Sequence, residues 1–234
     1  MEKTMTEKTL EFWDWFNKNE MKVYNALNSM AQRQIGEGRM PNNPPSVNAL
    51  EKRLRRVDSY LTYEFLPRGD EEHRFNFYIS AGGIDQAFPA VLNMVRFAPE
   101  SRYFNFIPFK QAHDNVEELK NMALGYEKNR IRIGDMYFKY YLNENLNCTL
   151  DIFFKNISDS EEQNYEIAFI VLDKIIGEYN VVKAINNINV FKLKDKKGLQ
   201  PLTELPIIIE DIKGLKNVLS PMQVVEQMKE EDSE

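Results

Sequence analysis

The chain has 234 residues, with 36 acidic against 30 basic side chains, a formal net charge of -6 and a 43% hydrophobic fraction. This composition excludes a disordered or fibrous chain, and the length can bury a core without a disulfide or metal staple. The acidic balance disfavours general attraction to phosphate backbones, so nucleic acid is not an expected partner.

One cysteine, Cys148, leaves no internal disulfide and fits a reducing, cytoplasmic setting. The opening MEKTMTEKTLEFW scatters charges and lacks the apolar stretch of a secretory signal. No run reaches the ~18 apolar residues that span a bilayer, so no membrane association is expected.

In chain order, residues 6–58 read as two helices. In the first, Phe12, Phe16, Val23, Leu27 and Met30 recur at helical spacing, with Thr6 or Thr9 as its cap. The glycines and prolines of GEGRMPNNPPS end it. Ser46 is the expected cap of the second helix, whose apolar stripe is Val47, Leu50, Leu54, Val57 and Leu61. Lys52 to Arg56 form a basic cluster, read as a solvated helix face.

Residues 60–110 read as strand, strand, helix, strand: LTYEFLP, HRFNFYIS, AFPAVLNMVRFA and RYFNFIPFK. The stretch 111–129 is open between helix and loop. Residues 130–194 repeat the order with DMYFKYYLN, NCTLDIFFKN, SEEQNYEIAFIVLDKIIG and NINVFKLK. In this half Ser160 and Gln163 match a capping box, and Gly177 stands where a left-handed C-cap belongs. The two halves are alike in element order alone, through duplication or through chance. A short helix follows in LTELPIIIEDIKGLKNVL, and 226–234 reads as a frayed acidic tail. The expectation is one α+β domain over 1–234: a mixed, mostly antiparallel sheet with helices packed on it, two similar halves and an N-terminal helical pair.

Reactive constellations are sparse. Ala81-Gly82-Gly83 between a strand and a helix suggests a phosphate cradle, but it lacks G-x-G-x-x-G spacing and a following lysine. Asp85 would repel a phosphate there, and Pro89 has no N–H to offer. The turn reads better with a glycine at positive φ and Asp85 as N-cap. His73 and His113 have no partner at ligand spacing, and Cys148 alternates in phase with Leu150, Ile152 and Phe154 as a core residue. No metal or cofactor is expected. Glu64, Asp135, Asp151, Glu166, Asp173 and Glu178 offer carboxylates for acid–base work, with no spacing that selects a pair.

The outward strand positions carry Tyr78, Tyr103, Tyr137, Tyr141 and Phe153 among Arg74, Asn76 and Lys139. Aromatics mixed with polar groups suit a partner-binding surface, and equally suit a face covered by the N-terminal helices. Trp15 leaves the apolar stripe of its helix and is either a partner contact or covered by another segment.

The blocks EFWDWF, ISAGGIDQAFPAVLNMVRFAPE and LDKIIGEYNV resemble those of a family of uncharacterised bacterial proteins, over about Leu10 to Leu205. The resemblance implies a bacterial origin and a compact unit, and carries no catalytic residue across. The expected function is a non-enzymatic protein-interaction module, regulatory or immunity-type. The alternative is a small-molecule or nucleotide binder with its pocket near Gly82 and Gly83, or a carboxylate-dependent hydrolase.

Overall fold

The computed structural model describes residues 3–37, 43–69, 74–125 and 130–231, with side chains of 31–37 left aside. Helix α1 (Met5–Glu37) starts at a capping box on Thr4, two residues before the nearer expected cap. Thr4 Oγ1 accepts from Glu7 N at 3.2 Å, and the Glu7 carboxylate accepts from Thr4 N at 2.7 Å. Thr6 lies inside the helix, and Thr9 is wholly buried, its hydroxyl accepting from Asn93 Nδ2 at 2.9 Å. Helix α2 (Pro45–Val57) has Pro44 at its N-cap and Pro45 in its first turn, where a proline ring presets φ. Ser46 is therefore not the cap; its hydroxyl donates to the Lys22 carbonyl at 3.4 Å. The stripe Val47, Leu50, Leu54, Val57 is buried as the spacing requires, and α1 packs against α2.

Strand β1 (Thr62–Pro67) pairs antiparallel with β2 (Phe75–Ser80), and α3 (Phe88–Arg96) leads to β3 (Phe104–Pro108), parallel to β2. The sheet order is β1-β2-β3. Register sets Phe65, Phe77 and Phe106 in one row, and this face takes α1: Phe16 lies 5.3 Å from Phe104 and 5.6 Å from Phe106 between ring centroids. An aromatic core of this kind buries large apolar area in few residues.

The second half begins with α4 (Val116–Asn121), capped by Asn115, whose side chain accepts from Glu117 N and Glu118 N. A short antiparallel ribbon follows, β4 (Ala123–Leu124) with β5 (Ile131–Arg132). Next come β6 (Tyr137–Leu142), β7 (Cys148–Phe154), α5 (Glu161–Ile176), α6 (Glu178–Ala184), β8 (Asn187–Lys192), β9 (Gln200–Pro201) and α7 (Leu205–Lys216). Strands β6 and β7 are antiparallel, β7 and β8 parallel, and the sheet order is β8-β7-β6-β9. The core face carries Phe138, Leu150, Ile152 and Phe154 against Ile167, Val171 and Ile175 of α5 and Ile209 of α7.

Ser160 caps α5, accepting from Gln163 N at 3.3 Å. The return half of the expected box is absent, because Gln163 Oε1 accepts from the Ser158 hydroxyl instead, at 2.8 Å. Gly177 has positive φ (80°), but with ψ 148° it is extended rather than left-handed helical, and the chain re-enters a helix at once. A Cβ there would sit 3.2 Å from both Ala112 N and Lys110 O, so the joint is open only to glycine.

Where one sheet was expected, the described residues form two small mixed sheets and the two-stranded antiparallel ribbon. The chain divides into two compact units. One is Met1–Phe109 with Pro221–Glu234; the other is Lys110–Ser220. The last helix, α8 (Pro221–Glu231), packs on α3 in the first unit with Val225 buried, and residues 226–231 of the segment read as a frayed tail form its second half. Its final three residues lie outside the described set. No helix among the described residues is long and apolar enough to cross a membrane.

Candidate interaction surface

Strand alternation turns one face of the second sheet away from its helices. Three rows cross that face. Phe191, Phe153, Tyr137 and Pro201 are neighbours in the first, Asn189, Asp151 and Lys139 in the second, and Asn187, Thr149 and Tyr141 in the third. The Phe153 and Phe191 rings stack at 5.4 Å. Lys196 Nζ lies 4.6 Å from the Tyr137 ring centroid, and its hydrogen bond to Tyr137 pushes the ammonium pKa up. Asn189 Nδ2 donates to Asp151 Oδ1 at 2.8 Å. Tyr141 is 53% exposed and Phe191 44%, whereas Tyr137 and Phe153 are half-buried. Large apolar groups held beside polar ones on an exposed sheet are the composition of a binding surface.

The other predicted aromatics divide. Tyr78 sits on the corresponding face of the first sheet, between Glu64 and Ile107 in register, with its hydroxyl accepting from Asn76 Nδ2 at 3.2 Å. Tyr103 does not share that face: its ring lies 4.6 Å from Tyr24 of α1. Trp15 is half-buried under the Arg53 guanidinium, 4.5 Å above the ring, so α2 covers it by a cation–π contact. Phe191 and Asn189 were missed in the sequence reading, although NINVFK alternates in phase with β7.

Both glycines of the candidate cradle have positive φ, Gly82 at 59° and Gly83 at 81°. Asp85 is not the cap of α3; it opens a 3-10 turn (Asp85–Ala87), and Ala87 precedes the helix. Gly82 N donates to the Ser80 hydroxyl at 3.0 Å and Ile84 N to the Ala81 carbonyl at 3.1 Å. Two of the amides a phosphate would need are thereby engaged within the turn.

Of the candidate carboxylates, the fold brings Asp173 and Glu178 together around Lys110. Lys110 Nζ donates to Asp173 Oδ2 at 3.1 Å, and the wholly buried Glu178 accepts from Lys110 N at 3.1 Å. Burial pushes the Asp173 carboxyl up, against the pull of Lys110. These bonds tie residue 110 to the α5–α6 corner, which is a structural clasp. Glu64, Asp135 and Glu166 are exposed and separate. Burial also raises the Cys148 thiol, which opposes thiolate formation. His113 Nδ1 accepts from Asn115 N at 3.1 Å in a turn, and His73 lies outside the described residues. Among the described residues no group of three or more His, Cys, Asp or Glu is placed to hold a metal ion.

No family model matches the chain, and no similar protein was found among curated proteins or solved structures.

Proposed function

We propose that this is a non-enzymatic interaction module of a bacterial cytoplasm, regulatory or immunity-type, which binds a protein partner through the open face of its second sheet. The observation that carries the reading is the row Tyr137–Phe153–Phe191, held beside Asp151, Lys139 and Asn189. Aromatic anchors of this kind dominate binding energy where they are found in interfaces. The net charge of -6 favours a basic partner and a salt-sensitive association rate. The resemblance to bacterial proteins with FWxWF-like and GEYxV-like blocks supports the same setting.

The test is a purified stoichiometric complex with a defined partner, titrated against Tyr141→Ala and Phe191→Ala. Both side chains are exposed, so melting temperature should hold while affinity falls tenfold or more. Unchanged affinity in both variants would remove this face from the interface. The reading of Gly82-Gly83 as a nucleotide pocket has the engaged amides of Gly82 and Ile84 against it.

A further inference from the structure

Strand β8 ends its sheet. Among the described residues no strand pairs with its outer edge. Cys148 and Phe154 of β7 turn their carbonyls toward β8, accepting from Asn186 N at 2.8 Å and Leu193 N at 2.9 Å. With Thr149 opposite Asn187 and Phe153 opposite Phe191, a parallel ladder between these points directs the backbone groups of Asn187, Asn189 and Phe191 at β7. Those of Ile188, Val190 and Lys192 then face away from the sheet.

Proteins protect such edges with prolines, charges or bulges. From Asn187 to Phe191 this strand has no proline and no charge, and its register with β7 is continuous. Beside its start lies a groove of about 400 Å³ lined by Tyr165 and Phe169 of α5, Val182 and Ile185 after it, and Ile188 itself. Phe169 and the adjoining Ile170 are exposed.

The five residues are also self-complementary. In an antiparallel pair with a twofold axis at Asn189, that residue faces its own copy. Ile188 then meets Val190 on the core side, and Asn187 meets Phe191 on the open side. No like charges stand opposite each other, and the outward N–H and C=O groups of Ile188 and Val190 bond one another. The Val190 of the second copy would seat against Ile188 at the lip of the groove. A register moved by one residue would set apolar side chains against the polar face, and one moved by two would bring the charged Lys192 opposite Ile188.

We infer that the occupant of this edge is a second copy of the chain, and that the protein is a dimer whose two β8 strands join the sheets into one. The inference does not rest on the proposed function. It makes the aromatic rows of two copies part of one continuous face.

The test uses the full chain. Sedimentation of the wild type should show a concentration-dependent dimer. Asn189→Cys should oxidise to a disulfide-linked dimer, because directly opposed non-hydrogen-bonded residues have Cα atoms about 4.5 Å apart, within disulfide reach. Native Cys148 is buried and serves as the unreactive background. Asn189→Lys can pair with Asp151 in its own chain but sets two ammonium groups face to face across the axis. It should raise the dimer dissociation constant several-fold with the melting temperature of the monomer retained, while Asn189→Ala dimerises normally.

A wild type monomeric at all concentrations would overturn the inference. So would a dimer indifferent to Asn189→Lys in which Asn189→Cys fails to link, or a monomer that instead takes up an extended foreign peptide along β8. Partner affinity unchanged in Tyr141→Ala and Phe191→Ala, with the dimer intact, would count against the proposed function alone.

Discussion

The indole N–H of Trp13 donates to the main-chain carbonyl of Met94 at 2.9 Å, in a fully buried contact between α1 and α3. The same ring packs edge-on to Phe106 at 4.7 Å. Trp13 therefore satisfies a helix carbonyl while filling the aromatic core. Trp13→Phe keeps much of the apolar area but leaves the bond unmade, and should cost about 1–3 kcal/mol. Trp13→Ala should cost about 3–5 kcal/mol, since it adds a cavity. Chemical denaturation of both variants checks the order; a Trp13→Phe variant as stable as the wild type would mean that the hydrogen bond contributes nothing beyond packing.

A neighbouring pair is polar throughout. Asn93 and Thr9 are buried, and the Asn93 amide donates to the Thr9 hydroxyl. Thr9→Val preserves shape and strands a buried donor, at about 1–3 kcal/mol. The double variant Thr9→Val with Asn93→Leu removes both polar groups and should recover part of that loss. A double-mutant cycle in denaturant gives the coupling directly, and strict additivity would show that the two side chains act independently.

What was legible beforehand follows from the range of the forces involved. Alternation in FNFYIS and CTLDIFF reports burial through a period of two, and α2 reports it at Val47, Leu50, Leu54 and Val57, so these elements and their core faces were readable. The caps were less so. Thr4, Thr6 and Thr9 carry the same hydroxyl, and only the fold shows that Thr9 is needed by Asn93, more than eighty residues away. The clasp of Lys110 with Asp173 and Glu178 is likewise non-local. The face holding Tyr137 and Phe153 was legible as a set of outward positions. The place of Tyr103 beside Tyr24, and that of Trp15 beneath Arg53, depended on how α1 settles against the first sheet and against α2.

Two glycines should respond in opposite senses to the same substitution. Gly177 combines φ of 80° with backbone atoms of Lys110 and Ala112 at 3.2 Å from a would-be Cβ. Gly177→Ala should destabilise by at least about 1–3 kcal/mol, from strain at positive φ with no space to relax. Gly214 lies inside α7 with nothing within 4 Å of the added carbon, so Gly214→Ala should stabilise by about 0.5–1 kcal/mol. Thermal melts of the two variants decide it; a neutral Gly177→Ala would show that the α5–α6 joint yields.

Asp173 should impose a pH dependence on stability. Its carboxyl is held above the ordinary value of 3.8, first by burial and only partly offset by Lys110. A group whose folded pKa is raised binds its proton more tightly in the folded state. Its stabilising contribution is complete below the unfolded pKa and is lost as pH rises through the folded one. Asp173→Asn keeps an oxygen for Lys110 Nζ and removes the titration. The melting temperature of the variant minus that of the wild type should therefore grow as pH is raised from about 4 toward neutrality, and then level off. A difference that stays flat, or shrinks, over that range would mean that the Lys110 ion pair outweighs burial and that the carboxyl is held low instead.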